Sequence, residues 1–330
     1  MRMKFKAILT ERENIHEPWY DIVYEWEDVF KDVLGLKMVN NLDWGFRKSI
    51  YFRILRVFGK LWRFRPTFSF QMQARQWEGK NRANLYPCVI DFFFRNDDEL
   101  DGFYRDFSRN PVVFISSKEA YEYLVSKKCP LNIHHLALSL PDKYAIRDDT
   151  FFAKEYDCAI VGRPSKMLVE FLEKYANENE DFIYIKRIVS KGEDGKDRIE
   201  YVTNKSNKVI FNGTREDYFK LLRFSKSALY STPGIDGDRS DANSFNQVTP
   251  RFLEMIACGC HVIARFPDNA DTDYYELPKM ALRCDNYEKF RDLMNFARTT
   301  AVDMKSRSQY LQKHYSSVRA VELAKIMENL

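Results

Sequence analysis

The chain has 330 residues, of which 45% are hydrophobic and 30% charged. That is too long for one ordinary core and fits two folded domains of roughly 150 residues each, and the composition excludes a disordered chain. The net charge of +4, from 52 basic and 48 acidic residues, is too mild for an electrostatic nucleic-acid binder, so no nucleic-acid partner is expected.

The six cysteines (Cys88, Cys129, Cys158, Cys258, Cys260 and Cys284) form no C-x-x-C pair. They read as reduced, mostly buried thiols of a cytosolic protein. The five histidines do not stand at ligand spacing from them, which argues against zinc. The N-terminal "MRMKFKAILTEREN" has too short an apolar run for a signal peptide, and no stretch approaches the roughly 18 apolar residues of a membrane span, so a cytoplasmic chain is expected. Aromatics reach 15%, which implies large cores or aromatic-lined grooves.

In chain order, residues 4–10 read as a strand and 19–35 as an amphipathic helix, with Gly35 as its C-terminal cap. Residues 67–72, 87–94 and 111–116 read as strands, 117–128 as a helix opening on a serine cap, and 132–144 as a strand running into a loop. A second series follows. It runs strand 156–164, helix 166–179, strand 181–189, a polar turn at 191–197, strand 207–213, helix 214–226 and strand 227–233. A short helix from Thr249–Pro250 to Gly259, a strand at 260–266 and helices from about 286 complete the chain. Strands alternating with helices predict parallel sheets covered on both faces. The loop-like 140–150 between the two series predicts two Rossmann-like domains in tandem, with ligands beyond the carboxyl ends of the strands.

The short helix carries one carboxylate, Glu254. Thr249 suits the N-cap and Pro250 the first helical position, but a capping-box Glu would fall at Phe252. Capping therefore does not explain Glu254, and an unpaired buried carboxylate is costly. A helix N-terminus after the polar loop 234–248 favours phosphate, with Arg251 adding positive charge. Glu254 one turn in can accept hydrogen bonds from sugar hydroxyls, as acidic residues do for ribose in dinucleotide folds. The alternative is a solvated Glu paired with a neighbouring Arg.

The stretch "FLEMIACG" (252–259) resembles the donor-binding "LEAMACG" helix of GT-B glycosyltransferases, closest to the group-one family and its CgeB-like relatives. In that family an acidic residue opens the loop and a second Glu stands eight positions later. The second is Glu254, whose role by resemblance is to hold the nucleotide ribose; the first position is occupied by Asn246. "IVGRPSKMLVEFLEKY" (160–175) resembles the family's strand–turn–helix whose Arg and Lys neutralise the donor diphosphate, which implies Arg163 and Lys166. Residues 209–232, containing Gly213, resemble the segment near the base, and 112–142 resemble the end of the first domain. The resemblance covers about residues 85–275. It departs at 9–21, where the family's Gly-rich loop is replaced by "LTERENIHEPWYD" without glycine.

The resemblance implies an α/β chain of GT-B architecture, with two Rossmann-like domains facing across a cleft. An acceptor domain is expected over 1–148 and a nucleotide-sugar domain over 149–309, with a helix at about 310–330 packing back on the first. The expected reaction moves a sugar from a nucleotide-diphosphate sugar to a glycan or lipid-linked acceptor, with retention, in bacterial surface polysaccharide synthesis. Arg163, Lys166 and the helix terminus at 249–251 would neutralise the leaving diphosphate without a metal or other cofactor. Donor contacts are expected at Arg163, Lys166, Gly213, Asn246, Thr249, Arg251 and Glu254. If the reaction inverts, a base is needed, and Asp91 and His16 are the candidates, Asp91 otherwise being a structural turn carboxylate. "DGD" at 236–238 is read as a turn or donor-facing loop in preference to a metal-binding pair. The basic, acid-free stretch 45–66, with apolar residues at helical spacing, suggests peripheral contact with anionic lipid or a solvated basic face. The rival readings are a non-catalytic nucleotide-sugar-binding protein and a sugar-nucleotide epimerase of similar fold.

Overall fold

The computed structural model describes residues 5–41, 65–75, 82–191 and 197–330. The basic stretch 45–66 lies outside these residues except for Arg65 and Pro66, and most of the polar turn at 191–197 does too. The chain divides into two compact units, residues 1–143 with 314–330 and residues 144–313.

The first unit opens with β1 (Ala7–Thr10), α1 (Asp21–Leu34) and β2 (Lys37–Asn40). It continues with β3 (Thr67–Gln73), β4 (Leu85–Asp91), α2 (Asp97–Phe107), β5 (Val113–Ile115), α3 (Lys118–Ser126) and β6 (Ile133–His135). These strands pair in the order β2-β1-β3-β4-β5-β6, every pair parallel. On α1, Val23, Trp26, Phe30 and Leu34 fall on one stripe and are buried, the spacing expected of an amphipathic helix. Gly35 closes the helix at φ 62°, as its position predicts, and its N–H bonds to the Lys31 carbonyl. Ser117 caps α3 as expected, its Oγ accepting from Ala120 N–H at 3.1 Å. Neither β2 nor α2 is predicted above. β2 has only Met38 and Val39 as apolar residues, and the acidic opening of α2 masks the spacing of Leu100, Phe103 and Phe107.

The second unit is built from β7 (Tyr156–Ala159), α4 (Lys166–Glu178), β8 (Tyr184–Lys191), β9 (Asp197–Thr203), β10 (Ser206–Asn212), α5 (Arg215–Phe224) and β11 (Ser225–Ser231). It continues through α6 (Pro250–Ala257), β12 (His261–Arg265), α7 (Ala270–Tyr274), α8 (Leu277–Met280), β13 (Leu282–Arg283), α9 (Tyr287–Thr299) and α10 (Met304–Leu311). The sheet order is β10-β9-β8-β7-β11-β12-β13. From β8 to β13 the neighbours are parallel, but β8–β9 and β9–β10 are antiparallel, which corrects the expectation of wholly parallel pairing. An antiparallel neighbour needs no helical crossover, so the alternation of strand with helix could not reveal β9.

The chain then returns to the first unit in α11 (Ser316–Glu328), whose Ala320, Leu323 and Met327 join α1 and the sheet in one core. The aromatic residues answer the question their abundance raised by filling cores. Phe30, Phe68, Phe70 and Phe114 pack together in the first unit, and Tyr175, Phe182 and Phe290 in the second. All six cysteines are free thiols, and all but Cys129 are buried. No described helix is long and apolar enough to cross a membrane.

Candidate functional site

In the second unit, β7 ends at Ala159 and the chain turns through Gly162 at φ 71° before Ser165 caps α4. Only glycine adopts that conformation without strain. A Cβ on Gly162 would also lie 2.7 Å from the guanidinium carbon of Arg251, so the bare backbone is the shelf against which Arg251 lies. Arg251 reaches it from the first turn of α6. Partial desolvation, and then the positive charges of Arg239 and Arg251, hold the Arg163 guanidinium below the usual arginine range; Asp241 opposes this and Arg187 adds to it. Arg187 comes from β8, and its buried Nε has no hydrogen-bond partner. Arg239 is paired with Asp241 at 2.7 Å, whereas Arg163, Arg187 and Arg251 have no ion-pair partner among the described residues. Like charges brought together without counter-charge repel, and a polyanion removes the repulsion.

Thr249 is the N-cap residue of α6, as its sequence position indicates, but its side chain makes no capping bond. Its N–H donates instead to the Tyr230 hydroxyl at 3.0 Å. The 232–248 loop is pinned at both ends. Gly234 sits where a Cβ would fall 2.4 Å from the Phe245 carbonyl oxygen. Asn246 accepts from the Thr232 hydroxyl at 2.7 Å and donates to the Ser244 carbonyl at 3.0 Å, so its amide holds the loop. Lys166 is engaged by Asp238. Its backbone N–H donates to Asp238 at 2.7 Å, and its Nζ lies 3.9 Å from the same carboxylate. Asp236 pairs with Arg265, with Nε at 2.8 Å and Nη2 at 2.5 Å, so both carboxylates of the "DGD" stretch are engaged within the fold. Gly213 serves packing: a Cβ there would be 2.7 Å from Ile199 of β9.

Glu254 is neither solvated nor unpaired. It is 1% exposed, with Oε2 accepting from the Tyr218 hydroxyl at 2.7 Å and Oε1 lying 2.5 Å from Nη2 of Arg215. Tyr218 and Arg215 stand three residues apart on α5, on one face of the helix. Burial first, and then the Glu254 charge, push the Tyr218 hydroxyl pKa well up. Tyr201 of β9 is buried and feels the charges of Arg187, Arg251 and Glu254, which draws the antiparallel ribbon into the same group. Arg187, Tyr201, Arg215, Tyr218 and Arg239 were not foreseen from sequence. The helical spacing of Arg215 and Tyr218 was visible, but not their partner on another element.

In the first unit, Asp91 ends β4 and His16 is exposed in the segment after β1, with β3 between those two strands. Another buried carboxyl lies beside the end of β1. Glu27 of α1 accepts from the Thr10 hydroxyl at 2.6 Å and faces Arg12 Nε at 3.4 Å. Burial dominates, only partly offset by Thr10 and Arg12, and pushes its carboxyl up to about 8. The unfolded chain ionises near the ordinary value of about 4.3, so between these pH values the folded state holds the extra proton. The stability this gives is full below the unfolded value and is lost as pH rises through about 8. All five tryptophans lie within residues 1–143, so urea unfolding followed by tryptophan fluorescence reports this unit. Wild type is expected to lose about 2 kcal/mol or more relative to Glu27→Gln between pH 5 and 8; parallel pH profiles would refute the assignment.

No protein-family model and no curated protein sequence matches the chain. Solved structures do. AviGT4, a glycosyltransferase involved in avilamycin A biosynthesis, aligns over 98% of this chain and 97% of its own at 11% identity, with a TM-score of 0.59. The GtfA/B complex aligns over 94% of this chain at 9% identity and TM-score 0.44, and this chain spans 60% of that one. The pneumococcal O-GlcNAc transferase GtfA, solved with UDP and GlcNAc, aligns over 80% of this chain and 57% of its own at 10% identity and TM-score 0.47. The last two likenesses are too loose to add to the first. The two mostly parallel α/β units thus have the fold of GT-B glycosyltransferases.

Proposed function

We propose that the chain is a glycosyltransferase whose second unit binds a nucleoside-diphosphate sugar. The observation that carries this reading is the meeting of Arg163, Arg187 and Arg251, none with an ion-pair partner among the described residues, beyond the carboxyl end of a parallel strand. A diphosphate supplies the missing negative charge, and planar guanidinium groups match its oxygens. The same charges assist the reaction. As the bond to the anomeric carbon breaks, the diphosphate gains charge, and donors already aimed at it lower the barrier. On this reading the arginines do the work a metal ion would do. The acceptor, a glycan or lipid-linked sugar, belongs to the first unit, and transfer proceeds with retention, as the family resemblance implies.

The second reading is a nucleotide-sugar-binding protein without transfer. It is favoured by Asn246, which stands where the resembling family has an acid and whose amide is engaged with Thr232 and Ser244. One experiment separates the readings. Thermal melts are recorded with UDP, GDP, dTDP and their sugars, and release of sugar from any stabilising donor is then followed. A ligand at a hundred times its Kd adds about 2.7 kcal/mol. Stabilisation with acceptor-dependent release supports transfer, stabilisation without release supports the binder, and turnover without acceptor supports an epimerase. If none of these ligands moves the melt, the donor reading is lost.

A further inference from the structure

Glu254 is the residue that the family resemblance assigns to ribose, yet a ligand approaching it meets Arg215 first. The Arg215 side chain is 18% exposed and that of Glu254 only 2%. Both carboxylate oxygens are shut off from solvent: Oε2 accepts from the Tyr218 hydroxyl, and Oε1 is ion-paired with the Arg215 guanidinium without a hydrogen bond of regular geometry. Arg215 is also held from its other sides. Its guanidinium carbon lies 4.8 Å from the Phe219 ring centroid and 5.5 Å from those of Tyr144 and Tyr218. Tyr144 and Phe219 stack at 3.6 Å with 9° between their planes. A cation over aromatic faces and against a buried carboxylate has a fixed direction, which gives a donor fork its specificity.

From this we infer that Arg215, and not Glu254, contacts a hydroxyl of a sugar ring flanking the donor diphosphate, and that Glu254 is a positioning residue acting through Arg215. The inference rests on the donor reading above. Glu254 lies three residues beyond Arg251 on α6, about one helical turn from the arginine cluster. The groups at that distance from a bound diphosphate are the rings bonded to it, the ribose on one side and the transferred sugar on the other. A guanidinium can only donate, so the hydroxyl oxygen it meets acts as acceptor. A carboxylate would instead take the hydroxyl's proton in a hydrogen bond, and the two arrangements respond oppositely when Arg215 is removed.

The test measures Kd by calorimetry for UDP, 2′-deoxy-UDP and UDP-glucose, and in parallel for GDP, 2′-deoxy-GDP and GDP-mannose. The proteins are wild type, Arg215→Ala, Arg215→Lys and Glu254→Gln. The ribose arm is the ratio of ribo- to deoxyribonucleotide, and the transferred-sugar arm is the ratio of sugar nucleotide to diphosphate. The inference expects Arg215→Ala to weaken binding by about tenfold to a hundredfold and to erase the wild-type preference in one arm. Arg215→Lys keeps the charge but loses the fork, and is expected to erase the same preference, so the result survives if the alanine variant folds poorly. Glu254→Gln is expected to reduce that preference without removing it. Two results overturn the inference. One is Arg215→Ala binding as well as or better than wild type with both preferences intact. The other is Glu254→Gln alone abolishing the preference, since the carboxylate would then be the direct contact. If wild type binds none of UDP, GDP, dTDP and their sugars, the donor reading falls, a failure distinct from normal binding that ignores Arg215.

Discussion

Removing two of the three unpaired guanidinium groups, in the Arg163→Ala, Arg251→Ala double variant, is expected to weaken nucleoside-diphosphate binding by about a hundredfold or more. Hydrogen bonds to charged groups contribute about 1.5–3 kcal/mol each, and each 1.4 kcal/mol is tenfold. Among the described residues none pairs with either arginine, so neither substitution leaves a buried partner behind. The folded state should therefore be no less stable, because burial and the nearby arginine charges both disfavour the Arg163 charge. Loss of affinity with unchanged or raised stability is the signature of a binding site as opposed to a structural one. Gly162→Ala tests the same site without removing charge. Its Cβ would meet the Arg251 guanidinium at 2.7 Å, and φ 71° strains any L side chain. Calorimetric titration of both variants with UDP and GDP at two salt concentrations reads the effect. Wild-type affinity in both would show that the arginines do not bind the anion.

The second large effect concerns the Glu254–Arg215 pair. Glu254→Leu leaves the mostly buried Arg215 guanidinium without its carboxylate and the buried Tyr218 hydroxyl without its acceptor. Breaking a buried pair from one side costs about 3–5 kcal/mol, and the partial exposure of Arg215 places this case toward the lower end. Replacing both partners, in Glu254→Leu with Arg215→Leu, is expected to recover most of that loss, because no buried charge is then left alone. Urea denaturation followed by far-ultraviolet circular dichroism measures it. If the double variant is as unstable as the sum of the two singles, the pair is not the unit of stabilisation. The predicted loss also separates Glu254→Leu, which tests the fold, from Glu254→Gln, which tests the ligand.

Local patterning was readable wherever an element speaks for itself. The stripe on α1, the Gly35 and Ser117 caps and the start of α6 at Pro250 all follow from side-chain spacing and backbone preference over a few residues. The α/β class followed from strands alternating with helices. Where the alternation fails, so does the reading: β9 sits in an antiparallel ribbon, and β2 is too short and polar to stand out.

The candidate site divides the same way. That Arg163 and Arg251 carry charge next to Gly162 and a helix start is legible along the chain, because those motifs are local. What each charge meets depends on the folding of the whole unit. Folding brought Arg187 across from β8, engaged Lys166 with Asp238 and Asn246 with Thr232, and closed Arg215 and Tyr218 over Glu254. The residues in each of these contacts are separated by 14 to 72 positions in the chain. The energy of a charge is set by its neighbours in space, and a single sequence records only its neighbours along the backbone.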